Sequence, residues 1–436
     1  MVRLREEVKK MEHGDGEAVI IGGMVLDIHA TPSMLANPGT TTPGKVYYVQ
    51  GGVARNVAEC MSKLGAKPYM ISALGFDMAG NLLLNQWKSA GLSIEGILKD
   101  KDIETPVVCN IFDVNGEVAA GVASVEALEK YLTPDWIFRF KNTLLSAPVL
   151  MVDANLSHPS LEAACKMAID MACPVWFEPV SVTKSRRISS IVEYVTFASP
   201  NEDELIAMAN ALSGSDEFHP LKESQKKNIS VLSLFQMLKP AIWVLLEKGI
   251  KVVLVTFGSN GVFLCNKGWP RQFKMPAEKT NQCGFRGQLF KTVMQKCPPS
   301  RYSGFSELDR SSHLFAVHFP SLPASVVRLT GAGDCLVGGT LTSICAGLDI
   351  MQSVSVGIAV AKAVVEVEAN VPSTFSLSAI TEAPRDQGMT KAIAQISPML
   401  KRCRNIPWSN QKREEFDKAK SYVVLLFNSV SSSVVN

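Results

Sequence analysis

No pair of cysteines in this chain has metal-binding spacing, and no histidine clusters with them. The ten cysteines (Cys60, Cys109, Cys165, Cys173, Cys265, Cys283, Cys297, Cys335, Cys345 and Cys403) and six histidines (His13, His29, His158, His219, His313 and His318) are scattered. That excludes a zinc-finger framework and a nucleophilic triad read from spacing, and points to reduced thiols in an intracellular protein. Lysine and arginine form no dense block interleaved with aromatics, and the formal net charge is only +3, so no nucleic-acid partner is expected. Long uncharged apolar runs are also missing. The longest, Ala241 to Phe257, is interrupted by Glu247, Lys248 and Lys251, whereas a membrane span needs about 20 largely apolar residues; no membrane partner is expected. Met1 to Gly16 carries Glu6, Glu7 and Glu12 and has no apolar signal core, so it reads as a charged extension rather than a secretory leader. A cytoplasmic location is expected, with an organelle left open.

What is present is enough apolar material for a large core: 47% hydrophobic residues in 436. One large domain, with at most a small appendage, follows from that length. Short β-rich runs alternate with helical ones: Ala18 to Gly22, Ala54 to Leu64, Tyr69 to Leu74, Met78 to Ser89, Val149 to Asp153, Leu161 to Met171, Val175 to Glu178, Tyr194 to Ala198, Glu202 to Leu212 and Lys251 to Thr256. The alternation predicts an α/β fold with a mostly parallel central sheet flanked by helices. Val107 to Asp113 and Glu117 to Ala120 flank Val114-Asn115-Gly116, a hairpin signal, which predicts a small β-lid over about 105–121. The proline-rich, polar stretch 267–312 reads as a surface insertion. The main domain is expected over 17–373, after an extension over 1–16 and before a weakly patterned appendage over 374–436.

The sharpest local feature is Thr330-Gly331-Ala332-Gly333-Asp334 followed by an apolar helical run. A glycine turn opening a helix aims free backbone N–H groups at an anion, and the helix dipole adds to the attraction. Two readings of Asp334 stay open: a general base for an attacking hydroxyl beside a bound phosphate, and a helix cap. An Asp at its ordinary pKa of about 3.9 would serve as that base. Gly51-Gly52-Val53-Ala54-Arg55-Asn56-Val57-Ala58 is a second glycine turn entering a helix. Gly39, Gly44 and Lys45 imitate a P-loop, but Val46 stands where Ser or Thr is required and no helix is expected after it.

Together these segments resemble the paired signatures of the PfkB, or ribokinase-like, carbohydrate kinase family. Gly22-Gly23 with Asp27, Asn201-Glu202-Asp203-Glu204, and Thr256 to Gly261 fall in the family's order. The resemblance implies a ribokinase-like sheet with a β-lid, an acceptor beneath the lid, and ATP at the carboxyl ends of the strands, where open α/β sheets bind ligands generally. It implies that Asp27, Gly51, Gly52 and Asn56 hold ribose, that Asp334 and the Gly331, Ala332 and Gly333 amides carry catalysis, and that Asn201, Thr256, Gly258 and Gly261 lie by ATP. Glu204 would position Mg2+, which prefers oxygen ligands; a capping role for Asn201 and Glu204 stays open beside that one.

Asn37-Pro38-Gly39, Lys45, Asp153-Ala154-Asn155, and Pro179-Val180-Ser181 with Lys184 are similar to the pseudouridine kinase branch. That likeness implies a nucleoside acceptor, places Asp153 near it, and implies a pseudouridine-5′-phosphate glycosidase as pathway partner, acting in trans. Arg328 and Leu329 depart from the family, whose residues there ligate an activating monovalent cation; a guanidinium cannot, which argues against such activation. Another ribose-containing acceptor, and a binding protein of weak activity, remain as alternatives. The oligomeric state is open, a homodimer included.

Overall fold

The computed structural model describes residues 16–35, 39–113, 118–221, 230–267, 284–296 and 314–386. The Asn37-Pro38 dipeptide, the Val114-Asn115-Gly116 turn, nearly all of the N-terminal extension, most of the 267–312 stretch and the tail beyond 386 lie outside them.

The strands are β1 (Val19–Ile21), β2 (Val25–Pro32), β3 (Gly44–Gly51), β4 (Tyr69–Gly75), β5 (Ile97–Asp100), β6 (Val107–Phe112), β7 (Val118–Ser124), β8 (Leu150–Asp153), β9 (Val175–Glu178), β10 (Phe197–Ala198), β11 (Val252–Thr256), β12 (Val262–Lys267) and β13 (Leu314–Phe319). Nine form one sheet in the order β13-β12-β11-β10-β9-β8-β1-β4-β5. All its pairings are parallel except those of β12 with β11 and β13. The strands are apolar on both faces because helices cover both sides. Val253 and Val255 enter one core cluster while Val252 and Leu254 enter the other, and Val19 and Ile21 alternate in the same way with Ala18 and Ile20.

A second sheet, β3-β2-β6-β7, stands apart as the lid. Its β6 and β7 pair antiparallel, and β2 pairs with β3 antiparallel and with β6 parallel. Half of this lid, β2 and β3, lies outside the stretch of about 105–121 read as lid from the sequence. Strand β2 alternates apolar residues with Asp27 and His29, and most of β3 is exposed.

Six helices frame the site and its surroundings: α1 (Val53–Lys63), α2 (Glu202–Ser213), α3 (Gly284–Lys296), α4 (Ala332–Cys345), α5 (Ile350–Val365) and α6 (Leu377–Asp386). Two sequence expectations need correction. The run Tyr194 to Ala198 is strand only over Phe197–Ala198, with a 3-10 turn over Val192–Tyr194 before it. The stretch read as irregular surface insertion contains α3, whose Leu289 and Val293 are buried with Ile380 of α6 in a third cluster. Thr381 of α6 also receives a hydrogen bond from Lys296 Nζ at 3.4 Å. The chain past 373 therefore begins with a packed helix, and a cut at Thr381 would fall inside it. Among the described residues no helix is long and apolar enough to cross a membrane.

Ile380→Ala should lower stability by about 2 to 5 kcal/mol, the usual cost of truncating a fully buried Ile, and a chain ended at Ser373 should be less stable than full length. Urea unfolding checks both; a loss below about 0.5 kcal/mol for Ile380→Ala would show that α6 does not depend on this packing.

Candidate active site

Two glycine turns bring two helix starts face to face. Gly52 opens α1 at φ 95°, and a Cβ there would lie 2.4 Å from Gly23 O. Gly331 opens α4 at φ 84°, and a Cβ would lie 2.3 Å from Asn370 O. Both positions need a residue that tolerates positive φ and has no side chain. Beyond Gly331, a Cβ added at Gly333 would meet no protein atom within 4 Å, so the turn opens outward there. Helix starts leave their first N–H groups without intrahelical partners. Ala332 N–H is turned to Leu329 O at 3.3 Å, so Gly333 and Asp334 present the better placed amides.

Asp334 is in the first turn of α4, and Asn56 Nδ2 donates to its Oδ2 at 2.7 Å. The orientation of the Asn56 amide is set from behind. Arg55 Nη1 donates to Asn56 Oδ1 at 2.9 Å and to Gln50 O at 3.0 Å. A guanidinium can only donate, so Oδ1 must be the acceptor and the NH2 is left to face Asp334. Arg55 is buried and also pairs with Glu59 one helical turn on. Asn370 Nδ2 donates to the same Gln50 carbonyl at 3.0 Å, which ties the Gly331 turn to the Gly51-Gly52 turn. The cap reading of Asp334 loses its basis. The cap position is Gly331, and Asp334 accepts from another helix.

Asp27, on β2, hydrogen-bonds with Asn370 and lies near Arg55. Burial nevertheless outweighs both and raises its pKa from 3.8 to about 6. Asp334 also rises to about 6, first by burial, opposed by the Asn56 hydrogen bond and reinforced by the Asp153, Asp27 and Glu204 carboxylates. This corrects the expectation of an Asp at its ordinary pKa.

Asp153, read as an acceptor ligand, is fully buried. Its oxygens accept from Gly23 N at 2.8 Å and Asn155 N at 2.9 Å, so it shapes the turn after β1. Asn155 Oδ1 accepts from Lys184 Nζ at 2.6 Å. Asn201 and Glu204 form a reciprocal capping box on α2, each backbone N–H donating to the other's side chain at 2.9 Å. Glu204 is buried and its pKa raised chiefly by that burial. Thr256 ends β11 beside Asn201, and Gly258 and Gly261 bracket the turn into β12. They lie further along the sheet edge than Asp27, Asn56 and Asp334.

Sequence reasoning missed four contributors. Arg55 had a signal, a charged residue in the first turn of an otherwise apolar buried helix face. Glu178 ends an apolar strand, accepts from Ser199 Oγ, and has a pKa driven well above the carboxylate range by burial, with Glu204, Asp334 and Asp153 adding to it. Asn370 and His29 carried no readable signal. Among the described residues no group of three or more His, Cys, Asp and Glu is arranged to hold a metal ion.

Residues 15–282 and 309–373 match the pfkB family carbohydrate kinase. The chain belongs to that family, and is a phosphotransferase with an alcohol as acceptor. It is 55% identical to "Pseudouridine kinase" of Arabidopsis thaliana over 84% of this chain and 94% of that protein. A second relative is "Pseudouridine kinase" of Escherichia coli (strain K12), 24% identical over 59% of this chain and 76% of that protein. Among solved structures, Arabidopsis thaliana ribokinase complexed with ribose and ATP superposes with TM-score 0.59 at 18% identity, covering 84% of this chain and 98% of that one. Ribokinase from Giardia lamblia does so at 0.61 and 17%, covering 86% and 99%. Those two likenesses establish the ribokinase-like fold.

Gly331→Ala forces a side chain into left-handed backbone, a strain on the order of 1–3 kcal/mol, and against Asn370 O. It should lower the melting temperature and depress kcat together. Unchanged melting and turnover would show that the turn does not need glycine there.

Proposed function

We propose that this chain transfers the γ-phosphoryl group of ATP to the 5′-hydroxyl of pseudouridine. The observation that carries the reading is the Asn56–Asp334 pair at the mouth of the Gly331 turn, in a chain 55% identical to the Arabidopsis pseudouridine kinase. Asp27, on the lid strand, is the carboxylate suited to a ribose diol. Asp334 Oδ2 is held by Asn56, which leaves Oδ1 to accept the 5′-hydroxyl proton. The Gly333 and Asp334 amides face the transferring phosphoryl oxygens. Phosphoryl transfer has a loose transition state, so most of the acceleration comes from positioning and charge neutralisation.

The base need not be strong, and at a pKa of about 6 it is better matched to neutral pH than an ordinary Asp while remaining about nine-tenths ionised at pH 7. For Mg2+ the donor set fits: Glu178 at the end of β9 and Glu204 in the first turn of α2 would offer carboxylate oxygens, and Mg2+ is commonly held by one or two carboxylates with phosphate and water. When bound it supplies charge neutralisation on the phosphates. The product is a C-nucleoside monophosphate, and cleaving its C–C glycosidic bond calls for a glycosidase as pathway partner.

Asp334→Asn keeps the shape and the contact with Asn56 but cannot take a proton. The expected result is a kcat lower by roughly 10² to 10⁴, with ATP and nucleoside binding retained. A kcat within a few-fold of wild type would remove Asp334 as base. The sign of the pH dependence follows from the raised values. Asp27 and Asp334 act ionised, so kcat/KM should be level above about pH 7 and fall as pH drops through about 6. An acid limb near pH 4 would contradict this.

Pseudouridine should be turned over with higher kcat/KM than uridine, which lacks its extra ring N–H; a site that hydrogen-bonds such a group strongly rejects analogues without it. Equal efficiency would return the acceptor to ribose-containing molecules generally while leaving the kinase assignment standing.

A further inference from the structure

Arg328 stands three residues before Gly331, in a segment tied down by Val327 N and Arg328 N, which donate to Val365 O at 2.7 and 3.2 Å. Its side chain crosses to the lid. Nη1 lies 3.3 Å from His29 Nδ1, and Nη2 lies 3.2 Å from Glu368 Oε2. His29 is 4% exposed and meets Phe112 of β6 edge-on, with ring centroids 5.2 Å apart. On β2 it is two residues from Asp27, so both side chains leave the same face of the strand. A single contact thus joins the segment that leads into Asp334 to the strand that carries Asp27.

We propose that Arg328 and His29 form a clasp that couples the seating of the lid over the acceptor to the position of the catalytic turn, and that both are positioning residues for phosphoryl transfer. The proposal rests on the kinase reading of the site. The chemistry of the pair is specific. A guanidinium has no acceptor, so His29 Nδ1 must accept, which requires a neutral ring with its proton on Nε2. Burial, then the Arg328 charge, holds His29 below its ordinary pKa and keeps the ring neutral. The other partner, Glu368, is 79% exposed, and an ion pair that open to water contributes little. The buried end of Arg328 is therefore the end that matters, and it points to the lid.

Coupling of this kind is read by a double-mutant cycle in full-length protein, with ATP and pseudouridine as substrates and melting temperatures recorded for every variant. Arg328→Ala and His29→Leu should each lower kcat/KM for the nucleoside roughly tenfold or more, as misplacement of a lid or turn does, with KM for ATP little changed. The double variant should be no worse than the poorer single. His29→Asn, whose Oδ1 can take the place of Nδ1 as acceptor, should recover most of the loss, and Arg328→Lys should recover only part.

Losses that multiply in the double variant, or that appear in melting temperature alone, would overturn the clasp. Histidine 15N spectra give a readout that needs no turnover: His29 Nδ1 should show an accepted hydrogen bond that Arg328→Ala abolishes, and an unchanged signal would also overturn it. Wild-type protein that shows the bond but no pseudouridine phosphorylation would instead overturn the functional reading.

Discussion

The site depends on one hydrogen bond between side chains 278 residues apart, Asn56 Nδ2 to Asp334 Oδ2. It forms only if two helices begin where they do, and each start is fixed by a glycine that no other residue replaces without collision. Gly52 is pressed against Gly23 O and Gly331 against Asn370 O, so the loop after β1 and the segment after α5 both determine where Asn56 and Asp334 meet. The Gln50 carbonyl joins the arrangement, because Arg55 and Asn370 both donate to it. Backbone here works as a shared acceptor for two side chains that each position a different half of the site. This explains why the functional residues come from distant parts of the chain while the sheet between them is ordinary parallel α/β.

Around that bond the protein gathers Asp27, Asp153, Glu178, Glu204 and Asp334 with few cations. Burial raises all five, and for Glu178 and Asp334 neighbouring carboxylates raise it further. Such a concentration of desolvated carboxylates works against the folded state unless each is hydrogen-bonded, and the hydrogen bonds are where stability and function separate. Asp153 spends its oxygens on two amides and Glu204 spends one on a cap. Asp334 accepts a single side-chain bond and keeps capacity for a substrate. Local rules are violated at functional positions and satisfied beside them.

Much of the fold was legible from the sequence because both faces of the central sheet are covered, which leaves short unbroken apolar runs between helical ones. The lid was half legible. Val107–Phe112 shows β-forming residues next to Asn-Gly; β2 alternates Leu26, Ile28 and Ala30 with Asp27, His29 and Thr31, a strand pattern that sequence reasoning passed over, and β3 is mostly exposed. The two glycine turns were legible because backbone geometry restricts them to glycine. The turn-shaping role of Asp153 was not legible for a physical reason: a carboxylate at a strand end can serve the ligand or the neighbouring turn, and only the distances to Gly23 N and Asn155 N show that it serves the turn. Asn370 was invisible, since a single asparagine after a helix has no pattern, although it touches both glycine turns.

Asp27 and Asp334 reach a pKa of about 6 by the same route, burial opposed by an amide donor, Asn370 for one and Asn56 for the other. The Asp27 charge is among those that raise Asp334, so a proton gained on one carboxylate makes the other easier to keep ionised. Since both values lie at about 6, the roles proposed for Asp27 and Asp334 would be lost over the same pH range on acidification, with the coupling spreading the two steps. Conversely, anything that brings positive charge to the strand ends favours the ionised form of both. A triphosphate arriving without a cation would do the opposite, adding negative charge beside Asp334 and raising its pKa. The carboxylate array thus favours a charge-neutralised phosphate donor over a naked one, through long-range electrostatics alone.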